Sequence, residues 1–431
     1  MSRDCPALLV SAPASGQGKT TFCAALARYH RRQGRRVCVF KTGPDFLDPM
    51  ILERASGAPV YQLDLWMVGE ADCRRLLYEA AADSDLILIE GVMGLYDGVP
   101  SSADLARTFG VPIVALIDAG AMAQTFGAVA QGLASYARDA AFAGVIANGV
   151  GGTGHTDLLR TSLPDGVPFL GSVPRLDQVV LPSRHLGLVQ ATELIDLDER
   201  LDAAADSIAH TALRELPVAV SFQSSEVQAT ANTALQGCTI AVARDAAFSF
   251  IYEANLDCLE DLGAQLVFFS PLEDTVLPAC DAIWLPGGYP ELHMERLMAN
   301  EAMCEAVRQH VTDNKPLFAE CGGMLYLLDE LVDAEGCRQP MLGVLPGEAV
   351  LEPNLVGIGL QRIPLPDGDL RGHSFHHTRA DIRVPSATRA IHYPDGRPGE
   401  CVYHRGRLSA SYLHAYFASN PAAVATLFAP E

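Results

Sequence analysis

The chain has 431 residues, 49% of them hydrophobic, and its formal net charge at pH 7 is −21. This length exceeds one ordinary domain, so we expect two or three domains with large buried cores. The acidic balance argues against nucleic acid and anionic membranes as general partners, because both bind basic surfaces. The first residues lack the apolar core of a signal peptide, and no apolar run is long enough to span a bilayer. The eleven cysteines have no paired spacing, which indicates reduced thiols and a cytoplasmic location.

The first motif along the chain has the order strand, phosphate loop, helix, over residues 8–27. Glycines in the loop let backbone N–H groups approach an anion, and the helix N-terminus adds partial positive charge. Lys19 can reach the outer phosphates, and the Thr20 hydroxyl can bind Mg²⁺. Pro13 stands where the standard spacing has its first glycine, so a glycine-rich turn with a solvated lysine is the alternative. We predict a nucleotide-phosphate site.

Carboxylates follow the next two apolar strands. Residues 35–40 are typical of a buried strand and lead to Asp45 and Asp48, while residues 85–89 lead to Glu90. Ligands of open parallel sheets lie beyond the carboxyl ends of the strands, where an acid can bind Mg²⁺ or orient water. The alternative for the two aspartates is a turn in which they bind only nearby backbone.

The remainder of the first half continues the alternation of strands and helices. Strands are expected at 112–118 and 142–148, with a helix over 128–137 between them. This order predicts a parallel sheet covered by helices on both faces. Near the end of this half, Arg184 or His185 could bind a carboxylate, or could equally cap a helix or bind a carbonyl, and the residues alone leave this open.

A change of composition separates the two halves. Residues 191–236 are first polar and rich in Ala and Asp, then poorly patterned, which is typical of a linker. A second α/β pattern follows, with strands expected at 239–243, 265–269, 282–285 and 316–319. The predicted domains are therefore 1–190 and 237–431, joined by the linker 191–236.

The last of these strands leads directly into a cysteine at a tight turn. Cys321 is followed by Gly322 and Gly323 and then by a helical stretch, which is the outline of a nucleophile elbow. A helix N-terminus lowers the pKa of a thiol, and neighbouring N–H groups can stabilise an oxyanion. The glycine-rich stretch 286–291 offers further backbone donors. A buried cysteine is usually only a small apolar residue, but the elbow favours a nucleophile.

A cysteine nucleophile needs a base, and the chain has twelve histidines. His414 follows a strand-like run near the C-terminus, while His373, His376 and His377 are rivals. The residues alone do not choose among them.

Seven blocks resemble the cobyrinic (hydrogenobyrinic) acid a,c-diamide synthase family, in the expected order over nearly the whole chain: 13–21, 40–45, 90–95, 184–188, 243–248, 285–291 and 319–323. The resemblance implies an α/β protein of two domains. The N-terminal domain would be a P-loop domain with a parallel sheet, like dethiobiotin synthetase. The C-terminal domain would be a class I glutamine amidotransferase of flavodoxin-like α/β fold.

The resemblance also implies roles for individual residues. Cys321 would be the glutaminase nucleophile and His414 its base, with an oxyanion hole near Gly288 and Gly322. ATP would bind at Ser15, Gly16, Gly18, Lys19, Thr20, Thr21 and Asn148, the last facing the adenine. Mg²⁺ would lie at Thr20, Asp45 and Glu90, and the acyl-phosphate site at Asp45, Asp48, Glu90 and Asp97.

The implied reaction is ATP- and glutamine-dependent amidation of the a and c acetates of a corrinoid macrocycle, through acyl phosphates. A cobyric acid synthase-like amidase of other corrin side chains and a P-loop switch ATPase are the alternatives. The resemblance leaves open whether the ring holds cobalt and which acetate reacts first. It also leaves open the path of ammonia and the oligomeric state, which could be a homodimer.

The chain departs from the pattern of related proteins at three positions. Tyr416 stands where class I amidotransferases commonly have an acid, Phe46 where many relatives have Tyr, and Ser374 where many have Glu.

Overall fold

The computed structural model describes residues 1–137, 139–175, 179, 183–184, 187–188, 190–224, 233–366 and 368–430. The chain divides into two compact units, Met1–Gln228 and Ala229–Glu431. Each unit combines apolar strands with helices, so the α/β prediction is confirmed. Among the described residues, no helix has both the length and the apolar character needed to cross a bilayer.

The first unit is built on a largely parallel sheet. Its strands are β1 (Ser2–Ser11), β2 (Val37–Thr42), β3 (Tyr61–Leu63), β4 (Leu86–Glu90), β5 (Ile113–Asp118), β6 (Phe142–Val150), β7 (Phe169–Pro174), β8 (Ser183–Arg184), β9 (Gly187–Leu188) and β10 (Ala219–Gln223). The main sheet has the order β3-β2-β4-β1-β5-β6-β7, with β10 paired to β1, and β8 and β9 form a separate antiparallel pair. Every residue of β4 is buried, as expected for a parallel strand covered on both faces.

Helices connect these strands and cover the sheet. They are α1 (Lys19–Arg32), α2 (Leu47–Ser56), α3 (Glu70–Asp83), α4 (Ser102–Phe109), α5 (Thr125–Ser135), α6 (Thr153–Thr161) and α7 (Leu197–Ile208). The apolar face of α1, rich in Ala and Leu, packs into the core formed with β1, β2 and β4. The carboxyl ends of β1, β2 and β4 therefore bring the phosphate loop and the predicted carboxylates to one edge of the sheet.

The predicted linker is too long at its N-terminal end. Leu197, Leu201 and Ile208 of α7 are buried in the same core as α1, and Arg28 of α1 pairs with Asp202 at 2.7 Å. The strand β10 then pairs antiparallel with the first residues of β1. Residues 191–223 thus complete the first unit, because the apolar side of α7 packs into its core and β10 pairs with β1.

The second unit begins with the four strands that the sequence predicts. Its strands are β11 (Thr239–Ala243), β12 (Gln265–Phe269), β13 (Ala282–Leu285), β14 (Leu317–Glu320), β15 (Glu330–Val332), β16 (Arg338–Pro340), β17 (Gly347–Leu351), β18 (Gly357–Leu365), β19 (Gly368–His376), β20 (Thr378–Ile382), β21 (Ser386–His392), β22 (Pro398–Arg405), β23 (Leu408–Ser411) and β24 (His414–Ala415). One sheet has the order β12-β11-β13-β14-β23-β22-β21-β18-β19-β24, and a second has the order β16-β15-β17-β20. The helices are α8 (Glu253–Asp261), α9 (Met294–Ala299), α10 (Glu301–Thr312), α11 (Gly322–Leu327) and α12 (Pro421–Phe428).

Parallel and antiparallel pairing meet at β23 in this unit. β11, β12, β13, β14 and β23 are parallel neighbours, whereas β22, β21, β18 and β19 continue the sheet by antiparallel pairing. Two apolar clusters form the core, one around Tyr326 and one around Trp284. The parallel pair β14 and β23 places the residues that follow each strand at the same edge of the sheet.

Candidate active sites in the two units

The phosphate loop connects β1 to α1 in the first unit. Gly16 and Gly18 have φ of 75° and 87°, a left-handed conformation that glycine adopts without a steric cost. A Cβ atom on Gly18 would lie 2.7 Å from the Asn148 Nδ2 atom, so a side chain is excluded there as well. The Lys19 Nζ atom donates to the carbonyls of Ala14 at 3.1 Å and Met93 at 2.6 Å. The lysine is therefore held by backbone at the start of α1, where an anion would meet its charge.

A buried lysine, Lys41, joins the carboxylates that follow β2 and β4. Its Nζ atom lies 3.2 Å from Asp45, 3.1 Å from Asp48 and 3.3 Å from Glu90, and its side chain is only 2% exposed. The register of the parallel strands, which sets Lys41 beside Glu90, explains the contact. Burial alone would lower the pKa of Lys41, but the three carboxylates outweigh it and raise the pKa well above its ordinary value. Lys41 is the site residue that sequence reasoning missed, although a lysine ending a buried apolar strand is a signal for paired carboxylates.

The arrangement around Glu90 has a place for a cation. The Thr20 hydroxyl donates to the Glu90 Oε1 atom at 2.8 Å, and burial raises the pKa of Glu90 to about 7. The Oε2 atom is buried and has no hydrogen-bond partner among the described residues. In that part of the chain no three acidic, cysteine or histidine side chains converge as the ligands of one ion. Mg²⁺ at a nucleotide site usually takes one or two protein oxygens, with water and phosphate completing its shell, so Thr20 and Glu90 fit it.

Most of the residues predicted for this site line a cavity of about 940 Å³. It is lined by Ser15, Gly16, Gly18, Lys19, Thr20, Thr21, Asp45, Asp48, Glu90 and Asn148, and also by Lys41 and Asp118. Asn148 donates through Nδ2 to the Gln17 carbonyl at 2.9 Å, which ties β6 to the phosphate loop.

Of the residues predicted for this site, Asp97 does not line the cavity. The Asp97 carboxylate accepts from the Gly94 N–H at 2.9 Å and stabilises its own loop. His185 lies outside the described residues, and of Arg184 only the backbone, in β8, is described.

In the second unit, Cys321 occupies a strained turn between β14 and α11. Its φ of 45° and ψ of −109° lie where non-glycine residues are rarely found. The Cys321 N–H donates to the Ser411 carbonyl at 2.8 Å, which fixes the turn against β23. A Cβ atom on Gly322 would lie 2.8 Å from the Gly288 oxygen, and one on Gly323 would lie 2.1 Å from the Leu285 oxygen. The small residues are therefore required for the close backbone approach that the elbow motif predicts.

His414 lies at the same edge of the sheet as Cys321. It follows β23, whose Ser411 is in register with Glu320 of β14. A Cβ atom on Gly287 would lie 2.2 Å from the His414 Cε1 atom, and the next residue, Gly288, is the one that abuts Gly322. The two glycines thus separate the imidazole from the helix that begins after Cys321.

The rival histidines have other partners. The His373 Nδ1 atom is 3.0 Å from the Tyr252 hydroxyl, and its ring stacks on that of His414 with centroids 5.0 Å apart. His376 lies 3.1 Å from the Glu400 carboxylate and stacks on a tyrosine ring. His377 contacts the ring of Phe375, which is exposed. Of the four histidines, His414 is the one whose ring packs against Gly287, beside the glycine that abuts Gly322.

Burial controls the charge of the Cys321 and His414 side chains. It raises the pKa of the Cys321 thiol above its ordinary value, and the Glu291 carboxylate raises it further, while the Gly322 N–H lowers it. Burial also lowers the pKa of His414 well below its ordinary value, with His373 and His376 adding to the effect. The expectation of a lowered thiol pKa is therefore wrong, because desolvation outweighs the helix N-terminus. Both side chains are neutral at rest, and a neutral imidazole can accept the thiol proton during attack.

Glu320 fixes the backbone beside His414. Its carboxylate accepts from the Trp284 indole N–H at 2.9 Å and from the Ala415 N–H at 2.6 Å. Burial raises the pKa of Glu320 to about 8, and these two donors lower it in part. The glutamate that precedes the nucleophile thus holds β24, the strand that contains His414.

The three departures from the family pattern lie in ordinary environments. Tyr416 is buried against the ring of Tyr252, and Phe46 is half-buried at the start of α2. The Ser374 hydroxyl accepts from the Gln361 Nε2 atom at 2.6 Å. Tyr416 has no carboxylate to offer His414, which agrees with a pair rather than a triad of catalytic groups.

A phosphate loop with buried carboxylates in one unit and a cysteine elbow with a buried histidine in the other define a nucleotide-binding amidotransferase. Two family models match the chain. Residues 8–189 match the CobQ/CobB/MinD/ParA nucleotide binding domain, and residues 239–422 match the CobB/CobQ-like glutamine amidotransferase domain.

Curated relatives match the chain from end to end. Hydrogenobyrinate a,c-diamide synthase of Pseudomonas aeruginosa is 61% identical, covering 99% of this chain and 98% of its own length. The protein of the same name from Stutzerimonas stutzeri is 59% identical, with 100% of both chains covered. Cobyrinate a,c-diamide synthase of Herminiimonas arsenicoxydans is 51% identical, covering 98% of this chain and 97% of its own. The chain therefore belongs to the cobyrinate and hydrogenobyrinate a,c-diamide synthase family.

Proposed function

We propose that this protein uses ATP and glutamine to amidate the a and c acetate side chains of cobyrinate or hydrogenobyrinate, as a cytoplasmic enzyme of cobalamin biosynthesis. The full-length similarity to relatives that are named for this reaction carries the proposal. Two separate sites, one suited to a nucleotide and one to a thiol nucleophile, support it. None of the eleven cysteines, which all lie in the described part of the chain, forms a disulfide, in keeping with a reducing compartment.

In the second unit, the Cys321 sulfur attacks the side-chain carbonyl of glutamine while His414 takes the thiol proton. Backbone N–H groups at Gly288 and Gly322 face the oxyanion that forms. His414 returns the proton to the leaving ammonia, and a thioester joins the glutamyl group to Cys321. Water then hydrolyses the thioester and releases glutamate. Because the thiol begins neutral, the proton moves with the attack rather than before it.

In the first unit, an acetate oxygen of the macrocycle attacks the γ-phosphate of ATP, and ADP leaves. Lys19 stabilises the transferring phosphoryl group. Mg²⁺, bound through Thr20 and Glu90 with Asp45 nearby, would neutralise phosphate charge. Lys41 holds Asp45, Asp48 and Glu90 together through the positive charge of its Nζ atom. Asn148 holds the phosphate loop through Gln17, and its place beside the adenine stays a prediction, as does a role for Asp97.

Ammonia then attacks the acyl phosphate, so that the new C–N bond forms as phosphate departs. A carboxylate is a poor electrophile until it is phosphorylated, and ammonium has no free electron pair with which to attack. The acyl phosphate must therefore meet neutral ammonia before it meets water.

The decisive experiment separates the two nitrogen sources. Cys321→Ala is expected to lose glutamine-dependent amidation and to keep amidation driven by added ammonium salt. Cys337→Ala, which removes an exposed thiol, is the matched control and should keep both. Full glutamine use by Cys321→Ala would refute the nucleophile assignment.

The product distinguishes the alternatives. Incubation with ATP, glutamine and either cobyrinate or hydrogenobyrinate, followed by mass spectrometry, should give a diamide. Further amidation would indicate a cobyric acid synthase-like enzyme, and absence of glutaminase activity would indicate a switch ATPase. The two relatives of higher identity are named for hydrogenobyrinate, so the metal-free ring is the first substrate to test. The homodimer stays a prediction, which analytical ultracentrifugation would test.

A further inference from the structure

Three glutamates of the second unit are buried or nearly so, and they differ in their partners. Glu320 accepts from the Trp284 indole and the Ala415 N–H. Glu400 is paired with His376 at 3.1 Å. Each of these carboxylates is compensated by donors from other parts of the unit, as buried carboxylates usually are.

Glu291 lacks such compensation. It is 8% exposed and lies in the 3-10 turn Pro290–Leu292. Among the described residues, no side chain forms an ion pair or hydrogen bond with its carboxylate, and its own backbone N–H is its hydrogen-bond donor. Burial raises the pKa of Glu291 to about 7.

The position of this turn explains where the carboxylate acts. Gly287 packs against the His414 ring, and a Cβ atom on Gly322 would lie 2.8 Å from both the Gly288 oxygen and the Pro290 Cδ atom. The turn that contains Glu291 therefore lies against the N-terminus of α11, beside the thiol. Of the charged groups that act on Cys321, Glu291 has the largest effect.

An uncompensated carboxylate costs free energy in a buried site unless a cation arrives with the ligand. The donor amino acid of the proposed reaction carries such a cation, since its α-ammonium group is a few bonds from the amide that Cys321 attacks. We propose that Glu291 binds the α-ammonium group of glutamine and so selects an amino-acid amide over uncharged amides. This inference rests on the proposed function and adds a substrate-recognition residue to the thiol site.

The test compares glutamine with glutaramate, the analogue that lacks only the α-amino group. For Glu291→Gln we expect KM for glutamine to rise about tenfold to a hundredfold, the range for a charged hydrogen bond. The kcat for glutamine should change by less than about threefold, and kcat/KM for glutaramate should not change. Glu295→Gln, which removes an exposed carboxylate four positions away in α9, is the control and should leave all values unchanged.

Two outcomes would overturn the inference. One is an unchanged KM for glutamine in Glu291→Gln. The other is an equal loss of kcat with glutamine and glutaramate, which would make Glu291 a proton donor or acceptor instead.

A labelling experiment tests the role of Glu291 even if the Glu291→Gln variant has lost its glutaminase activity. Cys321 is labelled with a diazoketone analogue of glutamine that carries the α-ammonium group, or with iodoacetamide, which carries no charge. Glu291→Gln should slow the first reaction at least about tenfold and leave the second unchanged. Equal slowing of both would show a disturbed thiol and refute the recognition role.

Failure of this inference can be told from failure of the proposed function. If Cys321→Ala keeps glutamine use, the nucleophile assignment itself fails. If Cys321→Ala behaves as expected while Glu291→Gln matches the unmodified protein, only the ammonium-binding role is refuted.

Discussion

The two units treat buried charge in opposite ways. In the first, Lys41 is held in its charged form by Asp45, Asp48 and Glu90. In the second, burial keeps both the Cys321 thiol and the His414 imidazole neutral. Phosphoryl transfer needs positive charge that is already in place, whereas a thiol can be activated by moving one proton during attack. We therefore expect substitutions of charged side chains in the first site and of the neutral pair in the second to have different effects, which the following predictions test.

The largest effect is expected from removing the positive charge of the first site. Lys41→Met leaves three carboxylates without their partner, so the unfolding free energy of the first unit should fall by about 3–5 kcal/mol. ADP formation should fall at least about a hundredfold, because the three carboxylates lose the cation that holds them in place. Glutaminase activity should persist.

Trp66 lies in the first unit and Trp284 in the second, so the fluorescence of each tryptophan reports on the unfolding of its own unit. Denaturant unfolding followed by Trp66 fluorescence, in a Trp284→Phe background, measures the stability change. Lys315→Met is the control, because Lys315 is exposed and donates to the Cys280 carbonyl rather than to a buried carboxylate. Unchanged stability and ADP formation in Lys41→Met would contradict the role of the lysine.

The second-largest effect is expected from displacing the His414 imidazole relative to Cys321. Gly287→Ala would place a Cβ atom 2.2 Å from the His414 Cε1 atom, so the imidazole must move. A displacement of about 1 Å can cost about a hundredfold in rate, and we expect that loss in glutaminase kcat. Amidation with ammonium salt should persist. Gly154→Ala, where a Cβ atom meets nothing within 4 Å, should keep both activities. Undiminished glutamine use by Gly287→Ala would show that the ring does not need this position.

A third effect depends on pH. Burial raises the pKa of Glu320 from 4.5 to about 8, so the folded second unit binds a proton that the unfolded chain releases. This stabilisation is fully present below pH 4.5 and is lost as the pH rises to about 8. The slope is at most about 1.4 kcal/mol per pH unit.

Glu320→Gln should remove the contribution of Glu320 to that slope and leave the contribution of Glu291, whose pKa burial raises to about 7, although the variant weakens one hydrogen bond to Trp284 or Ala415. Unfolding followed by Trp284 fluorescence in a Trp66→Phe background measures it across this range. Glu348→Gln, at an exposed position of β17, should keep the slope. The same slope in Glu320→Gln would assign the proton to another group.

The smallest effect tests the support of the imidazole stack. Tyr252→Phe removes the hydroxyl that lies 3.0 Å from the His373 Nδ1 atom, beneath the ring that stacks on His414. The unfolding free energy of the second unit should fall by about 1 kcal/mol, and glutaminase kcat by less than about tenfold. Tyr136→Phe, at an exposed position in the first unit, should change neither. A loss as large as that of Gly287→Ala would make the tyrosine part of the catalytic machinery.

Much of the fold could be predicted because its signals are local. The strands β11, β12 and β13 have the bounds that their apolar runs predict, and the elbow at Cys321 could be identified from two glycines after a strand. The strands β15–β22, most of which pair antiparallel, could not be predicted, because they are short or their apolar positions alternate only weakly. The composition of residues 191–236, polar and then poorly patterned, predicts a linker, but it does not show that apolar residues of α7 lie in the core of the first unit.

The pKa shifts and ion pairs of the two sites were harder to predict from the sequence than the strands and turns. The direction of the thiol pKa depends on how deeply Cys321 is buried, and a helix N-terminus alone predicts the opposite direction. A lysine after an apolar run indicates paired carboxylates only where the strand end is buried, and the sequence alone does not show this for Lys41. Only the register of β2 with β4 shows that it faces Glu90. Such contacts arise between strands and leave little trace in a single sequence.

The return of β10 to β1 has a consequence for dividing the protein into fragments. The match to the nucleotide-binding family ends at residue 189. Beyond that residue, α7 packs against α1, and β10 pairs with β1. A fragment cut at 190 would expose to water the apolar residues of α1 that α7 covers, and the first five residues of β1 would lose their pairing with β10. An unpaired strand edge promotes aggregation. Expression of 1–224 should yield a monodisperse nucleotide-binding fragment, whereas 1–190 should precipitate.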